Sequence, residues 1–251
     1  MQLLGRKKRN WKLIIIGLIL LLNGCSKGKP DTNNDLGNGD KSNLPISLDS
    51  LIEHAEYCKA IYDSGGDQKD EVAFEVKQDN ETNTTTIIIR GTANTSNVQS
   101  DIDVRLVSDD KLGIYLHKGF RDASVSVMSS IDDGYTIKDT VHITGHSLGG
   151  AIAQVIGMWL HKRGKDVQIF SYGSPKVSSQ VLPSGQPTHW RVVRRSDPIP
   201  FTPMWPYIHT GLFINSQTLD WGPDNDNGLI SETDGLDHAI AKYVTTLKEQ
   251  R

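Results

Sequence analysis

Apolar residues follow two spacings along this chain, one typical of helices and one typical of strands. Repeats of three or four residues predict helices over residues 47–62, 119–131, 148–162 and 236–247. Alternating or continuous β-branched runs predict strands over residues 72–78, 84–90, 112–117, 141–144, 167–172, 190–195 and 207–215, with residues 218–221 as a hairpin partner of the last. Because strands and helices alternate, we expect an α/β fold in a single domain, with a mostly parallel central sheet flanked by helices.

The first 24 residues follow a different pattern. Five basic residues lie within positions 6–12, and an uninterrupted apolar run of 10 residues occupies 13–22. That run is too short to span a bilayer comfortably and suits the apolar part of a signal peptide. The sequence Leu22-Asn23-Gly24-Cys25 resembles a bacterial lipobox, in which the Cys is acylated and the chain is cut before it. We therefore predict a lipoprotein signal peptide over residues 1–24 and lipidation of Cys25; a signal anchor with an incidental Cys is the alternative.

The stretch after Cys25 is polar. Residues 26–43 are rich in Gly, Asn, Asp, Lys and Ser and contain a single Leu. Such a composition cannot bury a core. We expect residues 25–46 to be the lipidated Cys and a disordered tether, and residues 47–251 to form the folded domain.

The charge balance limits the partners of the mature chain. Residues 1–24 hold five of the 27 Lys and Arg and none of the 30 Asp and Glu, so cleavage leaves a net charge of −8. This charge argues against nucleic acid and against electrostatic attachment to anionic lipid. We expect attachment through acyl chains on Cys25. The predicted location is the cell envelope, and the outer membrane if the cell has one.

The strongest chemical signal is Gly145-His146-Ser147-Leu148-Gly149, between a β-branched strand and a long apolar helix. This is the G-x-S-x-G pattern of a nucleophile elbow, a strand-to-helix turn so tight that both flanking positions need glycine. We predict Ser147 as the nucleophile, with its hydroxyl exposed. The backbone N–H of Leu148, at the helix start, is a candidate oxyanion donor. A Gly-rich turn with an incidental serine is the alternative.

A serine nucleophile needs a base and an acid that orients the base. Elbow enzymes place them in the chain order Ser, Asp or Glu, then His. Asp197 is the best acid, because it follows the predicted strand 190–195 in a proline-rich turn. His238 is the best base, because it lies in a polar stretch at the start of the last helix. His209 also follows Asp197 and stays an alternative, although an apolar strand is more typical of a core histidine.

Over roughly residues 48–247 the chain resembles the class 3 lipases of fungal type, and six motifs carry this resemblance. They are IIRGT at 88–92, HKGF at 117–120, GHSLG at 145–149, YGSPKV at 172–177, RRSDPIP at 194–200 and DH at 237–238, ahead of Tyr243. The resemblance implies the α/β-hydrolase fold. It implies a triad of Ser147, Asp197 and His238, with an oxyanion hole formed by Thr92 and Leu148.

The same resemblance places a lid over residues 93–104, with Thr95, Val98, Asp101 and Ile102 as lid residues. In the family this segment is an amphipathic helix, usually with a Trp, that opens on a lipid surface. Here it is polar and lacks Trp, and Val98 stands about where the Trp is expected. We therefore predict weak interfacial activation.

Together these features predict a serine esterase or lipase that hydrolyses carboxylic ester bonds of acylglycerol-type lipids. We expect a lipid or ester substrate, a monomer, and no metal or other cofactor. A phospholipase A1 or lysophospholipase with the same machinery is one alternative. A surface lipoprotein that binds lipid on a catalytically idle fold is another.

Overall fold

An eight-stranded sheet forms the centre of the protein, whose computed structural model describes residues 39–69, 72–91, 104–223 and 236–251. In chain order the strands of the described residues are β1 (Asp67–Lys69), β2 (Val72–Asp79), β3 (Thr84–Ile89), β4 (Leu106–Asp109), β5 (Ile114–His117), β6 (Thr140–His146), β7 (Asp166–Tyr172), β8 (Thr188–Val193), β9 (Leu212–Asn215) and β10 (Trp221–Gly222). The spatial order of the sheet is β1-β2-β3-β6-β7-β8-β9-β10, and β4 and β5 form a separate hairpin. Strands β3, β6, β7, β8 and β9 run parallel, whereas the outer pairs are antiparallel. The predicted mostly parallel sheet is confirmed.

Helices cover both faces of this sheet. Within the described residues the α-helices are α1 (Leu48–Ser64), α2 (Lys118–Gly134), α3 (Leu148–Lys162) and α4 (Ile240–Lys248). On β7, Val167 and Ile169 pack in the cluster with α2 and α3, whereas Phe170 and Tyr172 pack in the cluster with α1 and α4. Because both faces are buried, the central strands are apolar on both sides, as expected for a parallel sheet.

The carboxyl ends of the parallel strands meet at one edge of the sheet. Ile89 at the end of β3 pairs with Gly145 of β6, and His146 pairs with Tyr172 at the end of β7. Ligand sites in open α/β sheets lie outside this edge. Residues that follow these strands are therefore brought together there.

Three predicted elements differ from the structure, and one is the hairpin partner 218–221, of which only Trp221 lies in a strand, β10. The predicted strand 207–215 is wrong in its first half, because only Leu212–Asn215 joins the sheet. Before it, the N–H of Ile208 donates to the carbonyl of Ser178, and Gly211 turns the chain at φ +84°. The predicted helix 236–247 begins instead with a 3₁₀ turn over Leu236–His238, and α4 starts only at Ile240.

Residues 39–46, predicted as the end of the tether, contact the domain. Gly39 exchanges two backbone hydrogen bonds with Trp221, and Leu44 and Ile46 pack against the core. Residues 1–38, with the predicted signal peptide and Cys25, lie outside the described residues. Among the residues that are described, no helix is long and apolar enough to cross a membrane.

Candidate active site

Ser147 sits in a tight turn between β6 and α3. Its backbone angles are φ +59° and ψ −129°, a strained conformation for a residue with a side chain. A Cβ on Gly145 would lie 2.2 Å from the carbonyl oxygen of Gly149, and one on Gly149 would lie 2.2 Å from that of Ile89. Both flanking positions therefore require glycine, as the predicted elbow geometry demands.

The side chain of Ser147 is buried rather than exposed. The residue is only 2% exposed. The imidazole of His238 lies against its hydroxyl, and a Cβ on Gly91 would stand 3.3 Å from the Cβ of Ser147. The prediction of an exposed hydroxyl is therefore wrong for this structure.

The structure brings three predicted residues, Ser147, His238 and Asp197, into one hydrogen-bonded line. The Nε2 atom of His238 lies 2.7 Å from the Oγ of Ser147, and its Nδ1 atom lies 2.7 Å from the Oδ2 of Asp197. A carboxylate only accepts, so Nδ1 carries the proton and Nε2 presents a lone pair to the hydroxyl. This is the arrangement that a general base needs in order to deprotonate a serine.

Asp197 is fully buried and held by three donors. Its Oδ2 accepts the N–H of His238 and the hydroxyl of Tyr243 at 2.6 Å. Its Oδ1 accepts the backbone N–H of Ile199 at 2.9 Å. Burial, and then the nearby Asp197 charge, raises the pKa of Tyr243 well above its usual range, so the phenol stays a donor. These bonds stabilise a buried carboxylate and fix its orientation.

Tyr243 contributes more to this site than the sequence reveals. It appears in the sequence only as a motif residue after His238, and no sequence rule indicates that its hydroxyl reaches Asp197. Gly173 is a second residue whose contribution to the site the sequence does not indicate. A Cβ at Gly173 would lie 2.7 Å from Oδ2 of Asp197 and 2.9 Å from the Tyr243 oxygen.

The backbone N–H of Leu148 is a candidate oxyanion donor. Leu148 is the first residue of α3, where helix N–H groups have no partner within the helix. Within the described ranges, no hydrogen-bond acceptor is assigned to it. The helix dipole adds positive potential at this point.

Several predicted site residues lie outside the described ranges. They are Thr92 of the oxyanion hole, the lid residues Thr95, Val98, Asp101 and Ile102, and the lipidation site Cys25. Gly91, directly before Thr92, is described and lies against Ser147. The roles of these six residues stay predictions.

His209, the alternative base, makes a different contact. Its Nε2 lies 2.6 Å from the backbone carbonyl oxygen of Pro200. Burial, with the nearby charges of Arg191 and Lys176, lowers the pKa of His209 well below its usual value. The structure places His238, and not His209, beside the hydroxyl of Ser147.

Part of the chain is similar in sequence to known lipases. Residues 86–207, which include Ser147 and Asp197, match the family model for lipase (class 3). The chain is 30% identical over 170 residues to secreted mono- and diacylglycerol lipase 1 of Fusarium solani, covering 62% of this chain and 50% of that protein. It is also 30% identical over 182 residues to a lipase of Rhizopus niveus, covering 61% of this chain and 46% of that protein. The chain thus spans about half the length of the curated relatives it matches.

A solved structure shows the same fold. The lipase from Rhizopus microsporus var. chinensis superimposes with a TM-score of 0.60 at 17% identity, covering 83% of this chain and 90% of that one. The fold is therefore that of the α/β-hydrolases, as the sequence motifs imply. By the matched family model over residues 86–207 and by its fungal relatives, the chain is similar to the class 3 lipases.

Proposed function

We propose that this protein is a serine carboxylic ester hydrolase acting on acylglycerol-type lipids. The observation that carries the proposal is the line of Ser147, His238 and Asp197, with two contacts of 2.7 Å. The names of the matched relatives, a secreted mono- and diacylglycerol lipase and a lipase, support the substrate class.

The geometry supports a two-step reaction. In the first step the Nε2 of His238 takes the hydroxyl proton while the Oγ of Ser147 attacks the ester carbonyl. The carbonyl oxygen becomes negative and is held by the N–H of Leu148, and by Thr92 as the family resemblance implies. His238 then gives its proton to the departing alcohol, and the acyl group stays on Ser147.

In the second step water replaces the alcohol. His238 takes a proton from the water, whose oxygen attacks the acyl carbon, and then returns the proton to Ser147 as the fatty acid leaves. During both steps the carboxylate of Asp197 stabilises the imidazolium without taking its proton. The hydroxyl of Tyr243 and the backbone N–H of Ile199 hold that carboxylate aimed at His238.

We further propose that the enzyme acts at the cell envelope, held by acyl chains on Cys25, and that it works as a monomer. The lipobox-like sequence and the polar stretch after it support the anchor. The Fusarium relative is described as secreted, which is consistent with action outside the cytoplasm. Metabolic labelling with radioactive palmitate tests the anchor, since Cys25→Ser should abolish labelling and retain the longer precursor. Labelling that survives in Cys25→Ser would refute it.

A substrate panel tests the activity. Full-length protein in mild detergent should release fatty acid from mono-, di- or triacylglycerols, and Ser147→Ala should release none above background. Positional analysis of products from phosphatidylcholine separates the phospholipase alternative, which no observation favours. Release of acyl chains from phospholipid alone would overturn the acylglycerol assignment, and no release from any ester would overturn the enzymatic one.

A further inference from the structure

His146, the residue before the nucleophile, makes two side-chain hydrogen bonds that the reaction scheme leaves unexplained. Its Nε2 lies 2.6 Å from the backbone carbonyl oxygen of His238, and its Nδ1 lies 2.9 Å from the hydroxyl of Tyr62 on α1. The residue is buried, and its ring centroid lies 4.7 Å from that of His238. His146 therefore joins the end of β6 to the base and to α1.

These contacts fix the protonation state of His146. A carbonyl oxygen can only accept, so Nε2 must carry the hydrogen. In a neutral ring Nδ1 is then an acceptor, and Tyr62 must donate to it. Burial, with the nearby His238, lowers the pKa of His146 to about 3, so the ring stays neutral at ordinary pH. A neutral ring adds no positive charge beside the imidazolium that forms on His238.

Tyr62 also lies close to Gly91, two residues after the end of β3. A Cβ on Gly91 would lie 3.0 Å from the Tyr62 oxygen and 2.9 Å from the carbonyl oxygen of His146. Burial raises the pKa of Tyr62, and a hydrogen bond from the backbone of Gly91 opposes only part of this. Tyr62 and His146 thus contact the chain at the nucleophile, at the base, and just before the expected oxyanion residue.

We propose that Tyr62 and His146 are a positioning pair, which holds the backbone of His238 in register with Ser147 during turnover. The need for such a pair follows from where His238 lies. It ends a three-residue 3₁₀ turn, and its side chain must be free to move a proton between Ser147 and the leaving group. A bond to its backbone carbonyl fixes the residue without restricting the ring. Because a displacement of about 1 Å can lower a rate by about 10²-fold, such a bond has a kinetic consequence.

This inference rests on the proposed serine chemistry, so the test separates the two. His146→Leu removes both bonds, whereas His146→Gln keeps an amide N–H that can reach the carbonyl of His238. With a soluble short-chain ester, and rates counted per fluorophosphonate-titrated site, we expect His146→Leu to lower kcat by about 10²-fold with little change in KM. His146→Gln should recover much of that loss. Tyr62→Phe, which leaves the ring in place, should lower kcat by about 10-fold.

His189→Leu is the matched control. His189 is equally buried but lies near the start of β8, where its Nε2 contacts the Oγ of Ser171 at 2.8 Å. The His189→Leu variant should be less stable than the wild-type protein but should keep the wild-type kcat per titrated site. If His146→Leu fails to fold, Tyr62→Phe decides the question by itself.

A spectroscopic readout makes the test independent of turnover. The proton between His238 and Asp197 should give a low-field NMR signal in the wild-type protein, and His146→Leu or Tyr62→Phe should shift or broaden it. Folded variants with wild-type kcat and an unmoved signal would overturn the positioning pair. A wild-type protein that shows the low-field signal but neither reacts with the fluorophosphonate nor hydrolyses the ester would overturn the proposed function instead.

Discussion

Tyr243 and Asp197 share a buried hydrogen bond of 2.6 Å, made to the same carboxylate oxygen that accepts the N–H of His238. A phenol and an imidazole therefore both donate to one oxygen, and the backbone N–H of Ile199 donates to the other. The acid is stabilised by groups from a loop and from the last helix, which come together only when the C-terminal segment docks.

Removing the Tyr243 hydroxyl should destabilise the protein more than removing an ordinary buried tyrosine hydroxyl. A hydrogen bond to a charged group contributes about 1.5–3 kcal/mol, against about 0.5–1.5 kcal/mol for a neutral pair. Tyr172→Phe is the matched comparison, because that hydroxyl donates to the neutral carbonyl of Leu51 at 2.6 Å. Urea unfolding should show a larger loss for Tyr243→Phe. Equal losses would mean that Asp197 does not depend on this donor.

A methyl group at Gly173 should displace the acid. Gly173 has φ +57°, and an added Cβ would lie 2.7 Å from Oδ2 of Asp197. We expect Gly173→Ala to lower kcat by on the order of 10²-fold, since the base loses its orientation. Gly164→Ala is the control, because Gly164 has φ +85° with nothing within 4 Å of an added Cβ. The Gly164→Ala variant has similar backbone strain but no clash, so its stability should change and its kcat should not. Similar kcat values in the two variants would count against the role of Asp197.

Four histidines should make stability depend on pH: the buried His54, His146 and His189 and the half-buried His209. Burial is the largest cause that lowers the pKa of His54 to about 4, of His146 and His189 to about 3, and of His209 well below its usual value. Below pH 6.5 the unfolded chain protonates these rings while the folded protein does not. Stability is therefore fully present above pH 6.5 and is lost as pH falls.

Each of these histidines adds a slope of up to about 1.4 kcal/mol per pH unit. The free energy of unfolding, measured in urea at pH 7, 6 and 5, should fall accordingly. His189→Gln should remove about one proton from the difference between the unfolded and folded states, and so lower the slope by up to about 1.4 kcal/mol per pH unit. A free energy that stays constant between pH 7 and 5 would show that these rings are not buried in neutral form.

The polar composition of residues 93–104, which the family resemblance implies to be a lid, predicts weak interfacial activation. Ser147 itself is 2% exposed in this structure. A lid with few apolar side chains gains little from contact with lipid. The rate on a soluble short-chain ester should rise smoothly as its concentration passes the micelle limit, and Val98→Trp should introduce a jump there. An abrupt jump in the wild-type protein would contradict the prediction.

Much of the site could be predicted from the sequence because its signals are local. The elbow needs two glycines, because a Cβ added at either would lie 2.2 Å from a backbone oxygen. The chain order of serine, acid and histidine then reduces the number of residues that could be the acid or the base. The contacts of Tyr243 and Tyr62 could not be predicted. They join residues 46 and 84 positions apart, and depend on how α1 and α4 pack against the sheet.

The error over residues 207–211 has a similar cause. The apolar pattern there suits a strand, but Tyr207 donates to the carbonyl of Val104 at 2.5 Å and Ile208 bonds to Ser178. Both partners are distant in sequence, so local propensity could not reveal that residues 207–211 do not join the sheet.

The most direct test of the account is the labelling of Ser147 by a fluorophosphonate. At neutral pH the full-length protein should take up one label per chain, and peptide mass spectrometry should place it on Ser147. Asp197→Asn and His238→Ala should slow labelling by on the order of 10³-fold or more while the protein stays folded. A folded protein that labels elsewhere, or whose Ser147 labels equally fast without His238, would contradict the claim that these three residues act as one catalytic unit.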